Sequence, residues 1–173
     1  MAWETGIRVL IIAVNVLGWP LIHLAFARLF ISLPDFHFAQ DSWLTRSRRF
    51  EQDGRFYRRV LAVQRWKDLL PDGAPWLGGR SKKRLGSRSY AYLNLFAMET
   101  RRAEAAHWCM LLCTPVFYLW NPAWACVVMT LYGLAANLPC IIAQRANRVR
   151  IARILRPSAT LHAASVPRNC LPT

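Results

Sequence analysis

Residues 99–150 decide the fold, and they read ETRRAEAAHWCMLLCTPVFYLWNPAWACVVMTLYGLAANLPCIIAQRANRVR. Two apolar blocks, 106–120 and 123–143, are joined by Asn121-Pro122, a dipeptide that favours a turn and leaves no room for a loop. We therefore expect an antiparallel helical hairpin. A third apolar block, at about 6–26, is long enough to cross a hydrocarbon core of about 30 Å.

The composition indicates a membrane protein. Of 173 residues, 54% are apolar and 18% are charged, whereas about 25% are charged in an average soluble domain. Lys and Arg number 23 against 9 Asp and Glu, and the basic residues flank the apolar blocks. This is the positive-inside pattern of membrane proteins and not a nucleic-acid-binding surface. The composition excludes disorder, collagen and a secreted disulfide framework.

The basic residues also predict the topology. Fifteen Lys and Arg lie in residues 34–104 and five more in 145–156, so we place the long loop and the C-terminus in the cytoplasm. The N-terminal block exceeds the 7 to 15 residues typical of a signal-peptide core, which favours an uncleaved anchor over a cleaved signal. We therefore predict a multi-pass protein of the cell (inner) membrane.

The predicted fold class is all-α, with about three transmembrane helices that include a C-terminal hairpin. Residues 1–156 form a single membrane domain, with spans at about 6–27, 104–120 and 123–143, a cytoplasmic loop at 34–103, and a disordered tail at 157–173. The second block has only about 15 apolar residues, so this span must draw polar residues upstream of Ala106 into the headgroup region.

The cytoplasmic loop contains a helical pattern. Phe56, Val60 and Val63 recur near helical spacing, and Pro71 ends the pattern. We predict an interfacial amphipathic helix over about 55–70, and a small helix folded over the cytoplasmic end of the hairpin is an equal alternative. Residues 71–88 are rich in Pro, Gly, Ser and basic residues and are predicted to form a flexible loop near an anionic lipid or substrate.

The most chemically suggestive pair in the sequence is Glu104 and His107. Three residues apart on a helix, the carboxylate can hold and polarise the imidazole, as a general base requires. Burying such a pair is costly, which favours a function. The alternative is that His107 only marks the membrane interface beside Trp108. The carboxylates and histidines do not make a metal pattern and none of the five cysteines forms a CxxC pair, so we predict no metal site.

The hairpin register brings further polar residues to this pair. Residues paired across the Asn121-Pro122 turn have numbers that sum to about 243, so His107 falls level with Asn137. Asn137, Gln144 and Arg148 form one stripe on the third block. The neighbouring arginines lie where a phosphate-bearing donor would arrive from the cytosol.

Several motifs together resemble a known family. They are, in order along the chain, Trp66-Lys67-Asp68 with Pro71-Asp72, Glu99 to Trp108, Trp120-Asn121-Pro122, Asn137-Leu138-Pro139, and Gln144-Arg145-x-Asn147-Arg148-x-Arg150. Over residues 54–150 the chain is similar to the glycosyl-4,4'-diaponeurosporenoate acyltransferase family of small bacterial membrane proteins. The resemblance implies an enzyme of carotenoid biosynthesis that transfers a fatty acyl group to a sugar hydroxyl of a glycosylated carotenoid acid. It implies acyl-CoA or acyl carrier protein as the thioester donor, with no bound cofactor.

On this resemblance we predict that His107, oriented by Glu104, takes the proton of an acceptor hydroxyl as the hydroxyl attacks the thioester. Asn137 and Arg148 would stabilise the oxyanion, and Arg145 and Arg150 would contact phosphate. The predicted catalytic residues are His107, Glu104 and Asn137, and the predicted substrate-binding residues are Glu99, Gln144, Arg145, Asn147, Arg148 and Arg150.

The expected partners are a lipidic acceptor, an acyl thioester and membrane lipids, and not nucleic acid. Homo-oligomerisation stays open. Two other functions also stay open: a non-catalytic module that binds anionic lipid or scaffolds a pathway, and another transferase or reductase whose lipidic substrate enters between the spans.

Overall fold

The computed structural model describes residues 2–70, 86–87 and 89–165. Within these residues the chain is all helical and contains no strand. Its α-helices are α1 (Ala2–Ser32), α2 (Val63–Trp66), α3 (Tyr90–Leu112) and α4 (Ala123–Ser165). Short 3-10 helices lie at Asp35–Phe38, Arg49–Gly54, Lys67–Leu69 and Thr114–Leu119, and a π-helix at Phe56–Val60.

The predicted hairpin is confirmed. Helices α3 and α4 pack against each other and are joined through the 3-10 helix Thr114–Leu119 and the turn at Asn121-Pro122. Its register is confirmed as well, because the His107 ring lies beside the Asn137 side chain, with 3.0 Å between Nδ1 and Oδ1.

The predicted second span over 104–120 needs correction, because it is not one helix. Helix α3 begins at Tyr90, where the Ser89 hydroxyl caps it by accepting the Tyr92 N–H at 3.3 Å, and it ends at Leu112. Pro115 has no N–H to continue the α-helical ladder, and the chain tightens into a 3-10 helix instead.

Two helices in the described part of the chain are long and apolar enough to cross a membrane, Trp3–Ser32 and Ala123–Leu155. Three such spans were predicted, and α3 is the one that does not qualify. Both qualifying helices expose large apolar side chains, such as Leu10 and Ile12 on α1 and Val127 on α4. Apolar side chains in such numbers on an outer surface are typical of a lipid-facing helix.

The C-terminal end also differs from the prediction. A disordered tail was predicted from residue 157, whereas α4 continues through Pro157 to Ser165. Residues 158–165 contain mainly Ala, Leu, Ser and Thr, and the Ala and Leu residues favour a helix strongly enough to extend it by two turns. The rest of the predicted tail, 166–173, lies outside the described residues.

The predicted single helix over 55–70 is wrong, and its alternative is confirmed. The backbone turns left-handed at Ala62 (φ 47°), which separates the π-helix from α2. Tyr57 and Val63, on either side of this break, are buried against Ala146 and Val149 of α4. The segment therefore folds over the hairpin, because packing on α4 outweighs continuous helical hydrogen bonding. The flexible loop predicted at 71–88 falls almost entirely outside the described residues.

An asparagine of α1 fixes the tip of the hairpin. The side-chain amides of Asn15 and Asn121 hydrogen-bond reciprocally at 2.8 and 2.9 Å, and the Trp120 indole donates to Asn15 Oδ1 at 3.0 Å. At the other end, the Arg102 guanidinium donates to the Ile31 carbonyl at 3.2 Å. Helix α1 therefore runs antiparallel to α3, and about 18 Å of it, from Trp3 to Asn15, extends beyond the hairpin tip.

Helix α1 packs closely on α4 at a glycine. A Cβ added at Gly133 would lie 2.8 Å from the Trp19 ring and from Thr114 Oγ1, which is too close for a carbon atom. Trp19 also packs on Phe117 and Met129 to form a small core between the three chain segments. Any side chain at position 133 must displace this core.

We expect Gly133→Ala to lower the free energy of unfolding by about 1–3 kcal/mol, because the core is overpacked. The measurement is thermal unfolding of the detergent-solubilised protein. Gly6→Ala is the matched control, because Gly6 is also helical but has nothing within 4 Å of an added Cβ, and we expect it to be neutral or stabilising by up to about 1 kcal/mol. Equal stability of the two variants would contradict the packing assigned to Gly133.

Candidate active site

A buried carboxylate lies at the centre of the end of the hairpin that is opposite the Asn121-Pro122 turn. The Glu104 side chain is 0% exposed. Its Oε1 accepts from Arg145 NH1 at 2.7 Å, and its Oε2 lies 2.6 Å from Arg148 NH2. Helix α3 supplies the carboxylate and α4 supplies both guanidinium groups, so this ion cluster links the two helices.

Arg145 and Arg148 also hold the loop that precedes the π-helix. Arg145 donates to the carbonyls of Leu44 and Arg46, both at 3.0 Å, and to Glu51 Oε1 at 2.6 Å. Arg148 donates to the Thr45 carbonyl. The guanidinium of Arg145, for which phosphate contact was predicted, is therefore used by carboxylates and backbone carbonyls.

Tyr57 lies at the edge of the ion cluster, beside Arg145 and Glu51. Burial raises the pKa of Tyr57 to about 12, and a hydrogen bond with Arg145 opposes that increase. The phenol therefore stays neutral at physiological pH and serves as a hydrogen-bonding group of the folded loop.

Arg148 retains unused hydrogen-bond donors. It is 4% exposed, and its Nε and NH1 atoms are buried without a hydrogen-bond partner in the described part of the chain. A carboxylate oxygen of Asp41 lies 3.9 Å from Nε, beyond hydrogen-bonding distance. Buried N–H groups without acceptors are costly, so Arg148 keeps hydrogen-bonding capacity that the described residues do not use.

Hydrogen bonds determine the proton position on the His107 ring. The Asn137 side chain is fully buried, and its Nδ2 donates to the Gly133 carbonyl at 2.9 Å, which leaves Oδ1 directed at His107 Nδ1, 3.0 Å away. Because Oδ1 can only accept, Nδ1 carries the proton, and Nε2 carries the lone pair of the neutral ring. Asn137 thereby sets the tautomer that a general base needs.

A second histidine, His23, lies beside His107 and was not among the site residues predicted from the sequence. The His23 and His107 rings are 6.5 Å apart, centre to centre. His23 interrupts the apolar run of α1, and an ionisable residue inside a predicted span is itself a signal of function. That signal was available in the sequence, although the partner could not be known without the packing of α1 on α3.

Four further site residues were predicted from the sequence, one on α3 and three on α4. Glu99 pairs with Arg102 on the same helix, at 3.7 Å. Gln144 is half-buried, and its side-chain oxygen has no hydrogen-bond partner among the described residues. Asn147 is half-buried on α4, and Arg150 is exposed on the same helix. The contacts thus group Glu104 with Arg145 and Arg148, and His107 with Asn137.

The region that holds these residues matches a family. The sequence model of glycosyl-4,4'-diaponeurosporenoate acyltransferase matches residues 40–157. The chain belongs to this acyltransferase family. Relatives named glycosyl-4,4'-diaponeurosporenoate acyltransferase from Staphylococcus aureus strains bovine RF122 / ET3-1, MRSA252 and USA300 are each 30% identical over 139 residues, which is 80% of this chain and 84% of theirs. No solved structure matches the chain.

Membership of the glycosyl-4,4'-diaponeurosporenoate acyltransferase family favours an enzyme over the non-catalytic module. Every site residue predicted from the sequence lies within the matched region, and so does Glu51. His23 and Asn15 lie on α1, outside it. Within the described residues, no group of three or more His, Cys, Asp or Glu side chains could hold a metal ion.

Proposed function

We propose that this acyltransferase moves a fatty acyl group from a thioester to a sugar hydroxyl of a glycosylated carotenoid acid in the membrane. The family description supports the reaction class and the type of acceptor. The observation that carries the proposal is the Gly133–Asn137–His107 chain of hydrogen bonds, which gives the imidazole a basic Nε2. A hydroxyl is too weak a nucleophile to attack a thioester readily without such a base.

In the proposed reaction, His107 Nε2 takes the hydroxyl proton while the hydroxyl oxygen attacks the thioester carbonyl. The new C–O bond forms, the C–S bond breaks, and the imidazolium returns the proton to the leaving thiolate. The unused donors of Arg148 are the candidates to stabilise the oxyanion, a contribution of about 3–4 kcal/mol in comparable sites. The reaction requires no covalent enzyme intermediate and no bound cofactor.

We propose three roles that differ from those predicted from the sequence, and the contacts support each of them. Asn137 becomes the residue that positions the imidazole, because its amide nitrogen already donates to Gly133. Glu104 becomes the residue that positions Arg148, to which it is ion-paired. Arg145 anchors the loop, so Arg150, which is exposed on α4, remains the candidate for contact with a phosphate of the donor.

The exposed apolar surfaces of α1 and α4 support a membrane location. The basic residues of the loop and of the C-terminal segment favour the cytoplasmic side for both. His23 lies five residues, or about 8 Å along α1, from the exposed Arg28. Arg28 can extend to the interface from that level. The histidines would then lie just below the headgroups, where the polar end of an amphiphilic acceptor is found.

The test is acyl transfer by the purified protein in lipid vesicles that contain glycosyl-4,4'-diaponeurosporenoate. One set of reactions receives an acyl-CoA, and the other receives an acylated carrier protein. We expect mass spectrometry to detect a product heavier than the acceptor by one acyl group with at least one of the two donors, and the active set identifies the donor. Folded protein that makes no product with either donor would contradict the proposal.

A further inference from the structure

His23 is held in one tautomer, like His107. Its Nδ1 lies 2.8 Å from the Trp19 carbonyl, one helical turn earlier on α1. A carbonyl oxygen only accepts, so Nδ1 donates the hydrogen bond and Nε2 of the neutral ring is an acceptor. Trp19 also packs against the His23 ring, 5.8 Å away between ring centres, and so limits how the imidazole can turn.

The two histidines lie close enough for the head of one ligand to reach both acceptor nitrogens. The ring centres are 6.5 Å apart and the ring planes are inclined at 63°, which places the two Nε2 atoms roughly 4 to 9 Å from each other. A hydroxyl oxygen lies about 2.8 Å from a nitrogen that accepts its hydrogen. Two hydroxyls on neighbouring carbons, each donating to one of the two nitrogens, span such a separation.

We propose that His23 forms a hydroxyl-binding subsite of the acceptor. Its Nε2 accepts a hydrogen bond from a second hydroxyl of the sugar while His107 takes the proton of the hydroxyl that reacts. The ligand class is an amphiphile whose head carries neighbouring hydroxyl groups. This inference rests on the proposed function, and it adds a residue of α1 from outside the region that matches the family.

A packing role alone explains these observations less well. The rest of the α1 surface around His23 is apolar, and Leu or Phe would fill the space at a lower desolvation cost than imidazole. The Trp19 hydrogen bond satisfies only one of the two ring nitrogens. The second nitrogen is the one that a substrate hydroxyl can use.

Substitution of His23 by the two amide residues, Asn and Gln, distinguishes the role of Nδ1 from the role of Nε2. In His23→Asn the amide reaches about as far as Nδ1, and in His23→Gln its oxygen reaches about as far as Nε2. For a sugar acceptor we expect His23→Asn to raise KM five- to tenfold with little change in kcat, and His23→Gln to remain close to wild type. For a monohydroxy alcohol with a similar chain we expect no change in either variant. His37→Asn, at an exposed histidine, is the matched control.

A binding measurement makes this test independent of turnover. In vesicles that contain 15N-histidine-labelled protein, an alkyl glucoside should shift the Nε2 resonance that His23→Asn removes, and an alcohol of the same chain length should not. Absence of that shift, or an equal loss of sugar and alcohol transfer in His23→Asn, overturns the subsite. Wild-type protein that shows the shift but transfers no acyl group contradicts the proposed function and leaves the subsite supported.

Discussion

His107→Asn is expected to lower kcat for acyl transfer by about 100- to 10,000-fold, the contribution typical of a general base. The Asn amide reaches about as far as Nδ1, so it can keep the contact with Asn137 Oδ1 while Nε2 is lost. His107→Gln should be equally inactive, because an amide oxygen accepts a hydrogen bond but does not take a proton. This distinguishes His107 from His23, for which Gln is expected to suffice.

The measurement is initial transfer rate in vesicles, normalised to the amount of folded protein, with His37→Asn as the control. Asn137→Leu should reduce the rate less, because the imidazole remains but its tautomer and orientation are no longer set. Transfer that is undiminished in His107→Asn would remove this mechanism, whatever the result for Asn137→Leu.

Glu104→Leu is expected to lower the free energy of unfolding by about 3–5 kcal/mol, the usual result of removing one partner from a buried ion cluster. The guanidinium groups of Arg145 and Arg148 would remain buried without their shared carboxylate. The loop between Leu44 and Glu51, which these arginines hold, should become more mobile as a result. Thermal unfolding and limited proteolysis between Leu44 and Glu51 would measure both effects.

Asp68→Asn is the control for this substitution, because the Asp68 side chain is 63% exposed and lies 3.6 Å from the Lys67 ammonium. Water screens a carboxylate that is exposed to this extent, so we expect a change of only about 0–1 kcal/mol. A Glu104→Gln protein with wild-type stability and no activity would contradict the structural role and return Glu104 to the catalytic role predicted from the sequence.

The sequence was sufficient to predict the hairpin and its register. A two-residue turn between apolar blocks fixes which residues lie opposite each other, and the contact between His107 and Asn137 follows from that arithmetic. Pro115 was a sequence signal for the break that ends α3, because proline has no N–H, but hydropathy alone does not report it. The sequence was not sufficient for the break at Ala62, where the apolar pattern continues while the backbone changes conformation.

The roles of the arginines could not be predicted from local sequence either. A guanidinium can bind a phosphate, a carboxylate or a row of carbonyls. For Arg145 the choice is made by Glu51 and the Leu44 carbonyl, which are 94 and 101 residues away in the chain. Tertiary packing therefore decides between donor binding and structural support.

The Asn15–Asn121 contact has a consequence for the side of the bilayer from which substrates come. Arg8 and Arg28 are about 30 Å apart along α1, which matches the hydrocarbon thickness. If these two arginines mark its boundaries, the hairpin tip stops about 10 Å short of the far one, and α3 and α4 would enter and leave through the same face. The two histidines, at the level of His23, would then lie in the leaflet on that side. An acceptor made in the opposite leaflet would have to be flipped before it could be acylated.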